Sequence, residues 1–363
     1  MDHPDSSSAQ QAFRFFPAPD GAEIGIRAGV TFVGTQARTI VNRVSGTRLS
    51  GFFSVNPYRG CEHACAYCYA RYTHEFLDRK PGEEFERRVY VKLNAPEVFA
   101  RDLRRARGIA QSQILFGSAT DPYQPAEARF RLTQRMLERL LPMKGLNVGI
   151  VTKSPLIERD LDLIRELSFR HDLELLISCA FAEEEGRTQR LLEPRAASPA
   201  RRLQTIARFA EAGVRVSLLC APLIPGINDG PAPLRSLCRH ALEAGADDVS
   251  GQVLFLGRAT REPFFQWLER HRPDLVDGYR RGYAGGLELR DDWRHIVEKR
   301  LLDARMGCGL GGGLHRRREK IPREVTALEE LEPPEDGAAL SKADAGPDPE
   351  LNPKPSGDGA VHP

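Results

Sequence analysis

Three of the chain's seven cysteines fall within eight positions of "NPYRGCEHACAYCYAR" (residues 56–71). Cys61, Cys65 and Cys68 stand at C-x3-C-x2-C spacing, with Tyr67 and Tyr69 on either side of the third. Thiolates are soft ligands, and each of three could hold one iron of a [4Fe–4S] cube. The fourth iron would then lack a protein ligand and stand open to a chelating small molecule. The competing chemistry is a Cys3His zinc site completed by His63 or His74. A second C-x2-C knuckle would support zinc, but Cys179, Cys220, Cys238 and Cys308 are solitary. An odd number of cysteines without regular spacing also argues against a secreted disulfide framework.

Elements must bring such a loop to a working face. Short apolar, β-branched-rich runs read as buried strands at 51–55, 113–117, 147–153, 173–179, 214–221 and 248–256. Helical periodicity fills 95–106, 128–141, 156–167, 200–213 and 232–245 between them. Two of these helices end in "EAG" directly before a strand, where glycine can take the left-handed position that stops a helix. Six strand–helix units in tandem require parallel strands with right-handed crossovers. Six fall short of the eight that close a full barrel. The expected fold is therefore α/β, a partial (βα)6 TIM-like barrel left open, with a flat doubly wound sheet as the alternative. In either, the cysteine loop follows the first strand and lies at the C-terminal ends of the strands, where chemistry belongs.

The cysteine loop after a first strand, the aromatic before its third cysteine and the six units together resemble the radical S-adenosylmethionine (radical SAM) superfamily. The resemblance runs from about Val55 to Leu302. "NPYRGCEHACAYCYAR" with "SATDPYQP" is similar to its spore photoproduct lyase-like (DNA-repair photolyase-like) branch, and there to a group of uncharacterised bacterial members. The resemblance implies a [4Fe–4S] cluster on Cys61, Cys65 and Cys68, with S-adenosyl-L-methionine chelating the remaining iron. It implies reductive cleavage to a 5′-deoxyadenosyl radical that abstracts hydrogen from a substrate. On this reading Ser118, Thr120 and Asp121, after the second strand, meet the methionyl amine. Lys153, after the third, meets the carboxylate, and Ser178, after the fourth, the ribose. Glu193 and Arg190 are within reach of the cofactor, and the "CAPLIPGIND" turn would pack on adenine. Tyr67 and Tyr69 match the tyrosines flanking the third cluster cysteine in that branch and are the candidate hydrogen relays, with Tyr123 a third. One departure matters: Ser118 stands where spore photoproduct lyase carries a hydrogen-donor cysteine. A serine O–H is too strong to quench a carbon radical readily, which puts thymine-dimer reversal by the same route in doubt. A flavodoxin- or ferredoxin-type protein would supply electrons. The substrate would be a nucleic acid or, alternatively, a small molecule or peptide. A non-catalytic metal-binding or electron-transfer protein is the reading from a different class.

Composition bounds the rest. The chain has 363 residues, 41% hydrophobic and 28% charged, enough for a large core. No stretch approaches the roughly 20 apolar residues of a membrane span, and residues 1–16 lack the apolar region of a secretory signal. A reducing cytoplasm is the expected location. Net charge is +2, but ten acidic and three basic residues from Pro322 onward give that tail −7, leaving about +9 on the body. Such a body suits a nucleic-acid partner. Arg59, Arg71 and the run "RDLRRARG" (101–108) are the residues that would meet phosphates. The expected division is an N-terminal extension (1–50), the radical SAM core (51–303), a Gly- and basic-rich segment (304–321) and a disordered acidic tail (322–363).

Overall fold

The computed structural model of the chain describes residues 21–45, 51–77 and 84–310. The disorder expected from Pro322 onward lies outside them. The described chain opens with an antiparallel hairpin, β1 (Glu23–Arg27) and β2 (Val30–Thr35), followed by β3 (Val41–Arg43). Then come β4 (Phe52–Val55), β5 (Tyr58–Arg59), β6 (Arg88–Lys92), β7 (Gln113–Phe116), β8 (Asn147–Thr152), β9 (Asp172–Ser178), β10 (Val216–Leu223) and β11 (Val249–Val253).

The larger sheet has the order β11-β10-β9-β8-β7-β4-β3. Its six strands from β4 to β11 are all parallel and follow one another in chain order without reversal. A doubly wound sheet would reverse its order at a switch point. Every crossover here advances the same way, so the sheet is the open partial barrel that the strand count implied. β3 adds an antiparallel edge to β4.

Crossover helices cover the sheet: α1 (Ala95–Arg105), α2 (Leu132–Glu138), α3 (Leu161–Arg170), α4 (Pro199–Glu211) and α5 (Pro231–Glu243), with α6 (Arg258–His271) and α7 (Asp291–Gly307) after β11. The glycines of both "EAG" stops take positive φ, +81° at Gly213 and +85° at Gly245. The helix expected over 128–141 is instead broken: a short turn, Glu127–Phe130, precedes α2, and Arg131 between them has φ +50°. Between the layers lies one continuous core, in which Val148, Ile150, Leu175, Ile177, Val216 and Leu218 are buried, as are Cys179, Cys220 and Cys238.

Register places the site. Val55 pairs with Phe116, Phe116 with Ile150, and Thr152 with Ile177. The next residues, Asn56, Gly117, Lys153 and Ser178, therefore emerge along one rim. A second sheet, β1-β2-β6-β5, braces that rim. Its own small core includes Phe32, Tyr58, Val89 and Val91, and β5 leads within two residues to Cys61. The uncharged run VTFVGT of β2 has a strand pattern, but β1, β5 and β6 are short and carry charge, and the sheet was not expected from sequence. Among the described residues no helix is long and apolar enough to cross a membrane.

Candidate active site

The cysteine loop is held by its backbone. The Cys61 N–H donates to the Phe85 carbonyl (3.2 Å), and the Ala66 N–H to the Leu192 carbonyl (2.9 Å). Arg71 donates to the Cys65 carbonyl (3.0 Å) and pairs with Glu86 (2.6 Å). From the first turn of α6, the Thr260 hydroxyl donates to the Cys68 carbonyl (2.8 Å). None of the three cysteines is in a disulfide, and Cys61 and Cys65 are buried. Burial pushes the Cys61 thiol well up, with Asp121 adding to the effect, and pushes Cys65 up to about 12. Cys68 is raised for the same reason. Backbone N–H groups of His63 and Ala70 point at Cys61 and Cys68 and partly offset this. Such thiols keep their protons until a metal displaces them.

The two histidines near the loop are held differently. The His63 ring faces Asp121 Oδ2 (3.1 Å) and the Arg195 carbonyl (3.4 Å). His74 Nε2 faces the Arg88 carbonyl (3.2 Å), and its ring packs edge-on against Phe85 and Tyr90. Among the described residues, no three His, Cys, Asp or Glu side chains gather as a single-ion site. Three soft donors with N–H groups at two sulfurs fit a cubane, and His63, engaged at both ring nitrogens, does not fit as the fourth ligand of a Cys3His zinc site.

Asn56 organises the second strand's loop. Its amide donates to Ser54 Oγ (2.8 Å) and Ser118 Oγ (3.0 Å). Its carbonyl accepts the N–H groups of Ala119 (2.9 Å) and Thr120 (3.2 Å). Lys92, whose pKa burial lowers to about 7 with Arg59 contributing, donates to the Asn56 backbone carbonyl (2.7 Å). Asp121 joins three strand ends. It accepts the Tyr123 N–H (2.9 Å), the Thr152 hydroxyl (2.6 Å) and the Lys153 N–H (2.7 Å), besides facing His63.

At the third and fourth strand ends, Lys153 Nζ donates to Ser178 Oγ (2.8 Å) and stands 5.9 Å from the Tyr67 ring centroid. The Tyr67 hydroxyl donates to Glu193, which also accepts from Gln189 (3.1 Å) and pairs with Arg202. Burial alone would raise the Glu193 pKa, but Arg202 and Lys153 hold it at about 2.

The structure thus gathers Cys61, Cys65, Cys68, Tyr67, Lys153, Ser178 and Glu193 on one rim, with Ser118, Thr120 and Asp121 beside them. Tyr69 is 46% exposed, and its hydroxyl meets the Ser118 carbonyl. Tyr123 is buried and donates to Asp160 (3.1 Å). Arg190 is exposed with no polar partner among the described residues. Asn228 ties the "CAPLIPGIND" turn to itself and to the Ala180 carbonyl (2.8 Å). Arg59 and Arg71, expected to meet phosphates, are only 7% and 3% exposed. The 101–108 run ends α1 and precedes β7, at the opposite end of the strands from the cysteine loop. Sequence reasoning missed Asn56 and Arg202. An asparagine immediately after the first strand was the available signal for the former; a buried arginine within an amphipathic helix gives none.

Residues 55–234 match the family model described as the Radical SAM superfamily. An uncharacterised protein of Mycobacterium tuberculosis is 35% identical over 274 residues, 75% of this chain and 79% of the relative. One from Methanocaldococcus jannaschii is 29% identical over 187 residues, 51% of this chain and 66% of the relative. Among solved structures, a spore photoproduct lyase variant with bound AdoMet and dinucleoside spore photoproduct aligns with TM-score 0.58 at 18% identity. That alignment covers 77% of this chain and 80% of the lyase. At that identity the likeness concerns the fold alone. With a family model on the barrel and a relative matched over most of its length, the chain belongs to the radical SAM superfamily of enzymes.

Proposed function

We propose that the protein binds a [4Fe–4S] cluster through Cys61, Cys65 and Cys68 and cleaves S-adenosyl-L-methionine reductively to start hydrogen abstraction from its substrate. The observation that carries this is three unpaired thiols on the rim beside a lysine, two of them buried, while nearby His63 is engaged at both ring nitrogens. When bound, the cluster and the sulfonium cofactor supply one-electron C–S cleavage and a carbon radical. The chain's residues do the rest. Lys153 and Ser178 orient the cofactor's carboxylate and ribose. Ser118 and the backbone carbonyls of the 118–120 segment, held in place by Asn56, receive its amine. Asp121 ties the cysteine loop to the β8 end. A flavodoxin- or ferredoxin-type donor delivers the electron.

Two observations bear on the substrate. The lyase structure holds a dinucleoside, which is the warrant for a nucleic-acid substrate here. The placement of charge weighs the other way: Arg59 and Arg71 are buried, and the 101–108 run sits at the far end of the strands. A small molecule or peptide entering at the rim is the reading the geometry favours. Anaerobically reconstituted protein with dithionite should release 5′-deoxyadenosine from S-adenosyl-L-methionine, and a Cys65→Ala variant should lose at least about 100-fold of that rate. A variant cleaving at the wild-type rate removes the cluster assignment.

A further inference from the structure

Arg202 projects from α4 into the protein and is 1% exposed. Its donors are spent on three elements: the Ser178 carbonyl (2.9 Å), the Ala197 carbonyl (2.9 Å) and the Glu193 carboxylate. Glu193, itself fully buried, spends its oxygens on Arg202, Gln189 and the Tyr67 hydroxyl. Taking an ion pair out of water costs several kcal/mol per ion before the attraction offsets it, so such a pair is weak evidence for a stabilising role. Here its visible product is geometric. It fixes the Tyr67 ring, beside which the Lys153 ammonium stands, and the backbone of Ser178, whose side-chain hydroxyl accepts from that ammonium.

The charges point the same way. Glu193 and Arg202 cancel, leaving Lys153 as the uncompensated cation of this group. Its ammonium has three donors, and the acceptor it meets among the described residues is one neutral hydroxyl. A carboxylate placed there would complete it. The Tyr67 hydroxyl hydrogen, by contrast, is directed at Glu193 and is not offered to a substrate radical.

We propose that Glu193 and Arg202 are positioning residues that act through Tyr67 to hold Lys153 for the carboxylate of S-adenosyl-L-methionine, and that Tyr67 itself positions rather than relays hydrogen. The inference rests on the function proposed above, and one binding experiment separates the two. Cofactor dissociation constants are measured by anaerobic equilibrium dialysis on reconstituted protein, with iron and sulfide per chain as the control. Wild-type protein with a full cluster that fails to bind S-adenosyl-L-methionine would defeat the proposed function itself. Given wild-type binding, Tyr67→Phe and Glu193→Gln should each weaken affinity about tenfold, a coupling typical of residues in one polar network. The Tyr67→Phe/Lys153→Met double variant should bind no more weakly than Lys153→Met alone. Tyr67→Phe removes only a hydroxyl, so it keeps the test open should Glu193→Gln not fold. Unchanged affinity in Tyr67→Phe at wild-type cluster content, the outcome for a hydrogen relay, overturns the inference. So do losses that simply add with Lys153→Met.

Discussion

Asp121 shows how a residue correctly placed on the rim can do different work from that expected of it. The position suggested an acceptor for the cofactor's amine. In the folded chain both its oxygens are already engaged by Tyr123, Thr152, Lys153 and His63. Burial would raise its pKa, yet His63 and these donors hold it at about 2. It binds the cysteine loop to the second and third strand ends. Asp121→Asn turns an amide N–H toward donors that now find an acceptor, so it should cost about 1–3 kcal/mol of stability in urea unfolding. A variant as stable as wild type would return Asp121 to the role of a free acceptor. The rim positions of the cysteines, Lys153 and Ser178 were legible: Lys153 and Ser178 stand at the ends of apolar runs, and the cysteines share the loop that follows one. Asn56 and Arg202 were not, because their importance lies in partners 62 to 64 residues away for Asn56 and in complete burial for Arg202.

Among the elements, the parallel strands were readable from continuous apolar runs, since strands buried on both faces carry no alternation to disguise them. The bracing sheet was not, because a two-residue strand such as β5 has no periodicity. Its junction with the cysteine loop is sensitive to a single atom. Gly60 has φ +85°, and an added Cβ would lie 2.7 Å from the Arg88 carbonyl oxygen and 2.8 Å from that of Phe85. Gly60→Ala must therefore displace the segment leading into Cys61. It should retain less than about half of the wild-type iron and sulfide on reconstitution, with left-handed strain of about 1–2 kcal/mol added to the clash. Gly51 is the control, with φ +90° but no atom within 4 Å of the added carbon. Gly51→Ala should keep its cluster. Equal iron content in the two variants would mean that the junction does not shape the loop.

For the molecule as a whole, charge and position separate. Arg104, Arg105 and Arg107 belong to the pole opposite the cysteine loop. Replacing all three with Gln should leave cleavage of S-adenosyl-L-methionine within about twofold of wild type, the scatter expected of surface changes. A large loss would place the run in the working face after all. Acid should act on the rim first. Asp121 and Glu193 both sit near 2 in the folded chain, below their ordinary values of 3.8 and 4.5. The unfolded chain thus binds more protons between those limits, so their contribution is complete above about pH 4.5 and is lost as pH falls toward 2. Urea midpoints measured down that range should fall less steeply in Glu193→Gln than in wild type; parallel slopes would deny the buried carboxylate its role.

A cube with one iron kept for the cofactor would declare itself in electron paramagnetic resonance of the reduced, anaerobically reconstituted protein. A [4Fe–4S]+ signal should appear, change shape when S-adenosyl-L-methionine is added and be absent from Cys61→Ala, Cys65→Ala and Cys68→Ala proteins. A bound zinc ion in place of iron, or a cluster signal indifferent to the cofactor, would contradict it.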